Sequence, residues 1–204
     1  MTVPAKTESR PGTSKASPVS VKIIIAGGFG VGKTTLVGTL SEIPPLTTEA
    51  AMTTASIGID DTSQVSTKTT TTVAMDFGRI TIDESMILFL FGTPGQDRFG
   101  FMWDDLIVGA LGAVVLVDLR RIDDCFPAID YFESRDIPFI VAINRFEGSD
   151  APDLGEVREA LDLGDHPIVM CDARYKESVK NAVLALIELL IKRRRQSGSR
   201  RSLG

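Results

Sequence analysis

The sequence predicts an α/β fold: a mostly parallel six-stranded sheet with one antiparallel edge strand and helices on both faces. Three observations carry that prediction. Short β-branched apolar runs alternate with stretches of helical period, the pattern of a parallel sheet covered on both sides. A glycine-rich loop, Gly27 to Thr35 (GGFGVGKTT), joins the first such run to the first helix. Each later polar motif also falls directly after a predicted strand, and the carboxyl ends of such strands converge on a common pocket.

The elements follow in order. Val21 to Ala26 (VKIIIA) reads as a buried strand, and Leu36, Val37 and Leu40 keep helical spacing until Pro44 and Pro45. Pro44 to Thr71 is a long polar connection with little periodicity, and connections of that length are usually functional or mobile. Alternation through Phe77, Ile80 and Ile82, a turn at Asp83-Glu84 and the apolar run Ser85 to Phe91 form a hairpin that supplies the antiparallel strand. Gly92 to Gln96 breaks that run, and Asp97 to Val108 reads as helical. Further strands are expected at Ala113 to Asp118, Pro138 to Asn144 and Pro167 to Met170. Helices are expected at Asp123 to Arg135, Asp153 to Leu161 and Lys176 to Arg195, the last with a clear apolar stripe.

The chain of 204 residues suits one folded domain over residues 21–191. Residues 1–20, rich in Ser, Thr, Pro and Lys, read as a disordered leader, and residues 192–204 as a basic, disordered tail. A formal charge of −5 argues against a general nucleic-acid binder. Cys125 and Cys171 lie far apart without metal-like spacing, which points to a reducing cytoplasm rather than a disulfide framework. No apolar run approaches membrane-spanning length, although the basic tail would favour weak contact with an anionic membrane face. His166 lies in a turn composition and reads as a surface-loop residue.

The loop after the first strand carries the chemistry. Gly27-x4-Gly32-Lys33-Thr34, placed between a strand and a helix, is a phosphate-binding loop. Backbone N–H groups of Gly27, Gly28, Phe29, Gly30, Val31, Gly32 and Thr35 are expected to curl around an anion at the helix N-terminus. Lys33 would reach the β- and γ-phosphates, and the Thr34 hydroxyl would ligate Mg²⁺. Phe29 is bulky for such a loop. It either crowds the γ-phosphate, or instead points to solvent or packs on a neighbouring loop.

Four further motifs resemble those of Ras-superfamily small GTPases. Thr72-Val73-Ala74-Met75-Asp76-Phe77 is similar to the first switch, with Thr72 implied as a Mg²⁺ ligand and Thr53 or Thr54 as rivals. Gly92-Thr93-Pro94-Gly95-Gln96-Asp97-Arg98-Phe99 resembles the second switch, in which Gly95 would sense the γ-phosphate and Gln96 would orient the attacking water. It departs from that family at Gly92, where an Asp is usual, and bacterial polarity GTPases of the MglA type look similar in this. Asn144-Arg145-Phe146-Glu147 stands where the family has Asn-Lys-x-Asp, and Asp172-Ala173-Arg174 resembles its Ser-Ala-Lys loop. By that resemblance Asn144 ties the base loop to the phosphate loop, Arg145 stacks on the base, Glu147 accepts from guanine, and the Ala173 amide donates to guanine O6.

The resemblance extends to bacterial conservon-type GTP-binding proteins. It implies a G domain that binds GTP/GDP with Mg²⁺, hydrolyses GTP slowly with help from Lys33, Gly95 and Gln96, and acts as a molecular switch. It also implies a roadblock-type regulator and a sensor-kinase-linked complex as partners. Two alternatives stay open: a pseudo-GTPase scaffold, suggested by Phe29 and Gly92, and a P-loop ATPase or kinase, suggested by the imperfect base motif.

Overall fold

The computed structural model describes residues 17–44, 46–52, 71–95, 102–148 and 151–201. Its centre is β1 (Val19–Ala26), whose side chains alternate between two apolar layers. Ile23 and Ile25 face one cluster, and Ile24 and Ala26 the other. Such two-sided burial is why this strand reads as a continuous apolar run rather than as alternation. A turn of loop then leads to α1 (Lys33–Leu40), which buries Leu36, Val37 and Leu40 on the first layer.

The sheet has seven strands in the order β2-β3-β4-β1-β5-β6-β7. Strand β2 (Leu46–Met52) pairs antiparallel with β3 (Thr71–Asp83), which pairs antiparallel with β4 (Met86–Gly92). From β4 onward, β1, β5 (Ala110–Val117), β6 (Phe139–Asn144) and β7 (Ile168–Cys171) run parallel. The expected fold class is therefore the observed one. The added strand, β2, comes from the stretch read as an irregular connection. Its sequence, LTTEAAM, lacks strict alternation, so only its cross-strand partner reveals it. Residues 53–70 lie outside the described residues.

Helices cover both faces. On the α1 side, α5 (Lys176–Arg201) packs Val179, Ala182, Val183 and Leu186 against the sheet. On the other, α3 (Phe126–Glu133) and α4 (Leu154–Ala160) contribute Ile129, Phe132 and Val157, and the short α2 (Trp103–Leu106) adds Trp103. Two expectations change here. The helix expected from Asp123 is preceded by a 3-10 segment, Leu119–Cys125, bent at Arg121 (φ −143°, ψ 58°). The helix α5 continues to Arg201, so Lys192 to Arg195 and Arg201 belong to a helix rather than to an irregular tail. Residues 1–16 and 202–204 lie outside the described residues.

Strand order reverses direction at β1: the chain places β4 on one side of it and β5 on the other. In open α/β sheets that reversal opens a crevice at the carboxyl ends of the strands, and the glycine loop sits there.

Candidate functional site

The phosphate loop is built by backbone that only glycine tolerates. Gly27 has φ 133° and Gly32 φ 107°. A Cβ at Gly27 would lie 2.3 Å from the Leu116 carbonyl oxygen, and one at Gly32 would lie 2.6 Å from Asn144 Nδ2. Both positions are thus closed to side chains by strain and by contact. Gly32 is the N-cap of α1, and Lys33 is its first residue. Lys33 is 7 % exposed, and its Nζ donates to the carbonyls of Gly27 and Gly28, each at 2.7 Å. Burial pushes its ammonium down to about 8, against the opposing pull of the Asp76 carboxylate.

Asp76 is the residue that sequence reading passed over. It appeared only inside a motif whose weight fell on Thr72. In the structure Thr34 Oγ1 donates to Asp76 Oδ2 at 2.6 Å. Asp76 is buried and pairs across the strands with Gly92. A Cβ at Gly92 would lie 3.0 Å from Asp76 Cβ and 3.1 Å from its Oδ2. The glycine at 92 therefore makes room for a carboxylate delivered from the neighbouring strand. Only the strand register could have signalled this. Thr72, by contrast, sits within β3 opposite Ala51, roughly 13 Å up the strand from Asp76 at the usual rise per residue. That position removes it from Thr34, because strand pairing extends past the point where a switch loop was expected. Its rivals Thr53 and Thr54 lie outside the described residues.

Thr34, Asp76, Thr93, Gly95 and Phe29 line a cleft of about 350 Å³ over the loop. The Thr93 hydroxyl is buried there with no hydrogen-bond partner among the described residues. A hydroxyl, a carboxylate and an unpaired hydroxyl in one cleft form a hard-oxygen set that suits Mg²⁺ and the waters it retains. A Cβ at Gly95 would lie 2.6 Å from Lys33 Nζ and 2.9 Å from Phe29 Cα, so this glycine lies directly on the loop. Phe29 is 64 % exposed at the cleft mouth, and Arg121 Nη2 donates to its carbonyl at 2.8 Å. Of the two Phe29 readings, the outward one describes most of the ring. Gln96 lies outside the described residues.

At the far end of the loop Asn144, at the end of β6, uses both arms of its amide. Nδ2 donates to the Val31 carbonyl at 2.8 Å, and Oδ1 accepts from the Ala173 amide at 3.0 Å. The phosphate loop, β6 and the turn after β7 are thus locked together. The same bond corrects another expectation: the Ala173 N–H is engaged by Asn144 and is not held out for a base oxygen. Glu147 Oε1 accepts from Arg174 Nη1 at 2.8 Å, and Arg174 grips Asp172 through Nε and Nη2 at 3.0 and 2.9 Å. Arg174 holds the Asp172 carboxyl below the usual carboxylate range. Arg145 is exposed, with its backbone amide donating to the Cys171 carbonyl at 2.7 Å. Nearby, Asp118 at the exit of β5 is buried and gripped by Arg120 at 2.9 and 2.7 Å, while that guanidinium lies 3.8 Å from the Phe146 ring centre.

A glycine loop at the reversal of a parallel sheet, with a buried lysine and a Thr-Asp pair beside it, defines a P-loop nucleotide-binding protein. Residues 25–193 match the family described as conserved hypothetical ATP-binding proteins, and the chain belongs to that family. It is also 34% identical over 132 residues to an uncharacterized protein of Methanocaldococcus jannaschii, an alignment covering 64% of this chain and 73% of the relative. This family is a P-loop family distinct from the Ras superfamily. The resemblance to Ras-like and conservon-type GTPases is corrected accordingly. The pattern Gly27-x4-Gly32-Lys33-Thr34 is common to P-loop proteins generally, and the regulator and kinase partners rested on the resemblance alone.

Proposed function

We propose that this protein is a Mg²⁺-dependent P-loop nucleoside triphosphatase that takes ATP. The observation that carries this is the cluster over the loop, in which the hydroxyl of Thr34 meets the Asp76 carboxylate 2.6 Å away beside a buried Lys33. The family described as ATP-binding supports the choice of base.

The residues divide the work. Lys33 would exchange its contacts with the Gly27 and Gly28 carbonyls for β- and γ-phosphate oxygens. The amides of the loop and the N-terminus of α1 would complete the anion cradle. Thr34 and Asp76 would hold Mg²⁺, which neutralises developing charge on the phosphates when bound. Thr93 would anchor a water in the same set, and Gly95 would approach the terminal phosphate through its backbone. Such positioning and charge stabilisation account for most of phosphoryl-transfer catalysis.

No helix among the described residues is long and apolar enough to cross a membrane. The basic end of α5 is an exposed helix that favours anionic surfaces by charge alone.

The test is displacement of a fluorescent ATP analogue by ATP and GTP, with and without Mg²⁺, followed by single-turnover phosphate release. Mg²⁺-dependent ATP binding with phosphate release supports the reading. Tight binding with no release, with or without an acceptor present, leaves a nucleotide-binding scaffold.

A further inference from the structure

The outer half of the phosphate loop meets a side chain to which the reading above gives no task. Arg121 leaves the 3-10 segment after β5 at the residue where that segment departs from helical backbone. Its Nη2 donates to the Phe29 carbonyl at 2.8 Å and would lie 3.6 Å from a Cβ built at Gly30. Resting on the nucleotide site proposed above, we propose that Arg121 is a positioning residue that holds the stretch Gly28 to Gly30 in the shape that receives phosphate.

A phosphate loop turns its N–H groups toward the anion, which leaves its carbonyls for other partners. Here Lys33 Nζ takes the carbonyls of Gly27 and Gly28, and Asn144 Nδ2 takes that of Val31. Arg121 takes the Phe29 carbonyl between them. On the nucleotide-binding reading Lys33 leaves both of its carbonyls for phosphate oxygens. The first half of the loop then loses its inner contacts when it must keep its shape, and the Arg121 bond stays. That bond also aims a donor. The peptide is trans, so the Phe29 carbonyl points opposite to the Gly30 N–H, and fixing one fixes the other. Gly27 and Gly30 have φ of 133° and 73°, so the backbone on either side of Phe29 turns at glycines and gains from an outside restraint.

A solvated arginine would do this poorly, because exposed contacts of a long side chain contribute little. Arg121 is seated on two carboxylates. Its Nη1 lies 3.4 Å from Asp124 Oδ2, and its Nη2 lies 3.8 Å from Asp118 Oδ2. The Asp118 side chain is 3 % exposed and is itself held by Arg120 at 2.7 Å. Asp124 abuts the loop, since a Cβ at Gly28 would lie 2.5 Å from Asp124 Cβ. The 3-10 segment therefore packs directly on the loop. The planar guanidinium spans from these carboxylates to the carbonyl, a reach that one ammonium cannot reproduce at several points at once. Its side chain is 47 % exposed, so the core does not depend on it.

The experiment uses the full chain and displacement of a fluorescent ATP analogue by unlabelled ATP and ADP, with thermal unfolding of each variant alongside. R121A should weaken ATP and ADP by the same factor, about three- to tenfold. Its unfolding midpoint should stay close to that of wild type, as for most surface substitutions. R121K keeps a charged donor but loses the fork and should fall between the two. D124N removes one anchor of the guanidinium and should act in the same direction by less. Unchanged affinity for both nucleotides in R121A overturns the inference while leaving the phosphate site intact. Weakening of ATP alone also overturns it, because the guanidinium would then act on the terminal phosphate rather than on the loop. A loss of affinity that follows a lower unfolding midpoint and is not recovered in R121K overturns it in favour of a role in the fold. Failure of both nucleotides to displace the probe from wild type overturns the site itself, and the inference with it.

Discussion

Asp76 occupies the space that a side chain at Gly92 would need, its Oδ2 lying 3.1 Å from where the missing Cβ would be. The two residues face each other across β3 and β4, and the carboxylate so placed meets Thr34. Asp76→Asn should weaken Mg²⁺-supported ATP binding by about ten- to a hundredfold while affecting Mg²⁺-free binding much less. Gly92→Asp should destabilise the fold by crowding, and the double change Asp76→Ala with Gly92→Asp should recover part of the Mg²⁺ response. Titration of Mg²⁺ against bound fluorescent nucleotide reads all three. Unaltered Mg²⁺ dependence in Asp76→Asn would contradict the assignment.

Lys33 makes nucleotide affinity depend on pH. Its ammonium is pushed down to about 8 by burial, so above that pH the free protein must take up a proton to engage phosphates. ATP affinity should fall as pH rises through 8, by up to about tenfold per unit, and binding should be accompanied by proton uptake visible in calorimetry across buffers of different ionisation enthalpy. Stability moves oppositely. The cost of the buried charge is fully present below about 8 and is relieved as pH climbs toward 10.5, because over that window the unfolded chain holds the proton and the folded one does not. Lys33→Ala should abolish both trends and weaken ATP binding severely.

Asn144→Ala removes a side chain that satisfies two buried backbone groups, the Val31 carbonyl and the Ala173 amide. An orphaned buried partner costs about 1–3 kcal/mol. Thermal or denaturant unfolding should show a loss near that range, together with weaker nucleotide binding because the phosphate loop loses its brace. A variant with wild-type stability would mean that water replaces the amide.

Cys125 and Cys171 are both 2 % exposed, and burial pushes their thiols up to about 12 and about 11. Thiolate is the reactive form, so neither should be labelled by a thiol reagent at pH 8 in the native protein. Both should react once the chain is unfolded. Rapid native labelling at Cys171 would show that the turn after β7 opens.

The strands β1, β5 and β6 were legible because their burial on two faces demands unbroken apolar runs, as in IIIA, AVVLV and FIVAIN, and β4 carries such a run although only alternate residues of it are fully buried. The phosphate loop was legible for a related reason. Glycines at 27 and 32, a lysine and a hydroxyl residue at fixed spacing are all local requirements of one turn and one helix start. Asn144 was found because it ends such a strand. Strand β2 was not, since an edge strand of mixed Thr, Ala and Glu carries no periodic signal, and its pairing with β3 is what defines it.

Local chemistry, then, determined by itself that this chain folds as a parallel α/β sheet and binds a phosphate at the first strand–helix turn. Its vocabulary of Gly, Lys, Thr, Asn and Gln motifs is shared by several P-loop families, so it drew the reading toward the wrong one. What only the tertiary structure decided is which residues meet. Strand register brings Asp76, 42 positions beyond Thr34, onto its hydroxyl in place of Thr72. The adjacency of β6 and β7 sets Arg174 on Glu147 and spends the Ala173 amide on Asn144. Contacts of this kind depend on register and strand order, which hydrophobic periodicity constrains to a face but not to a partner.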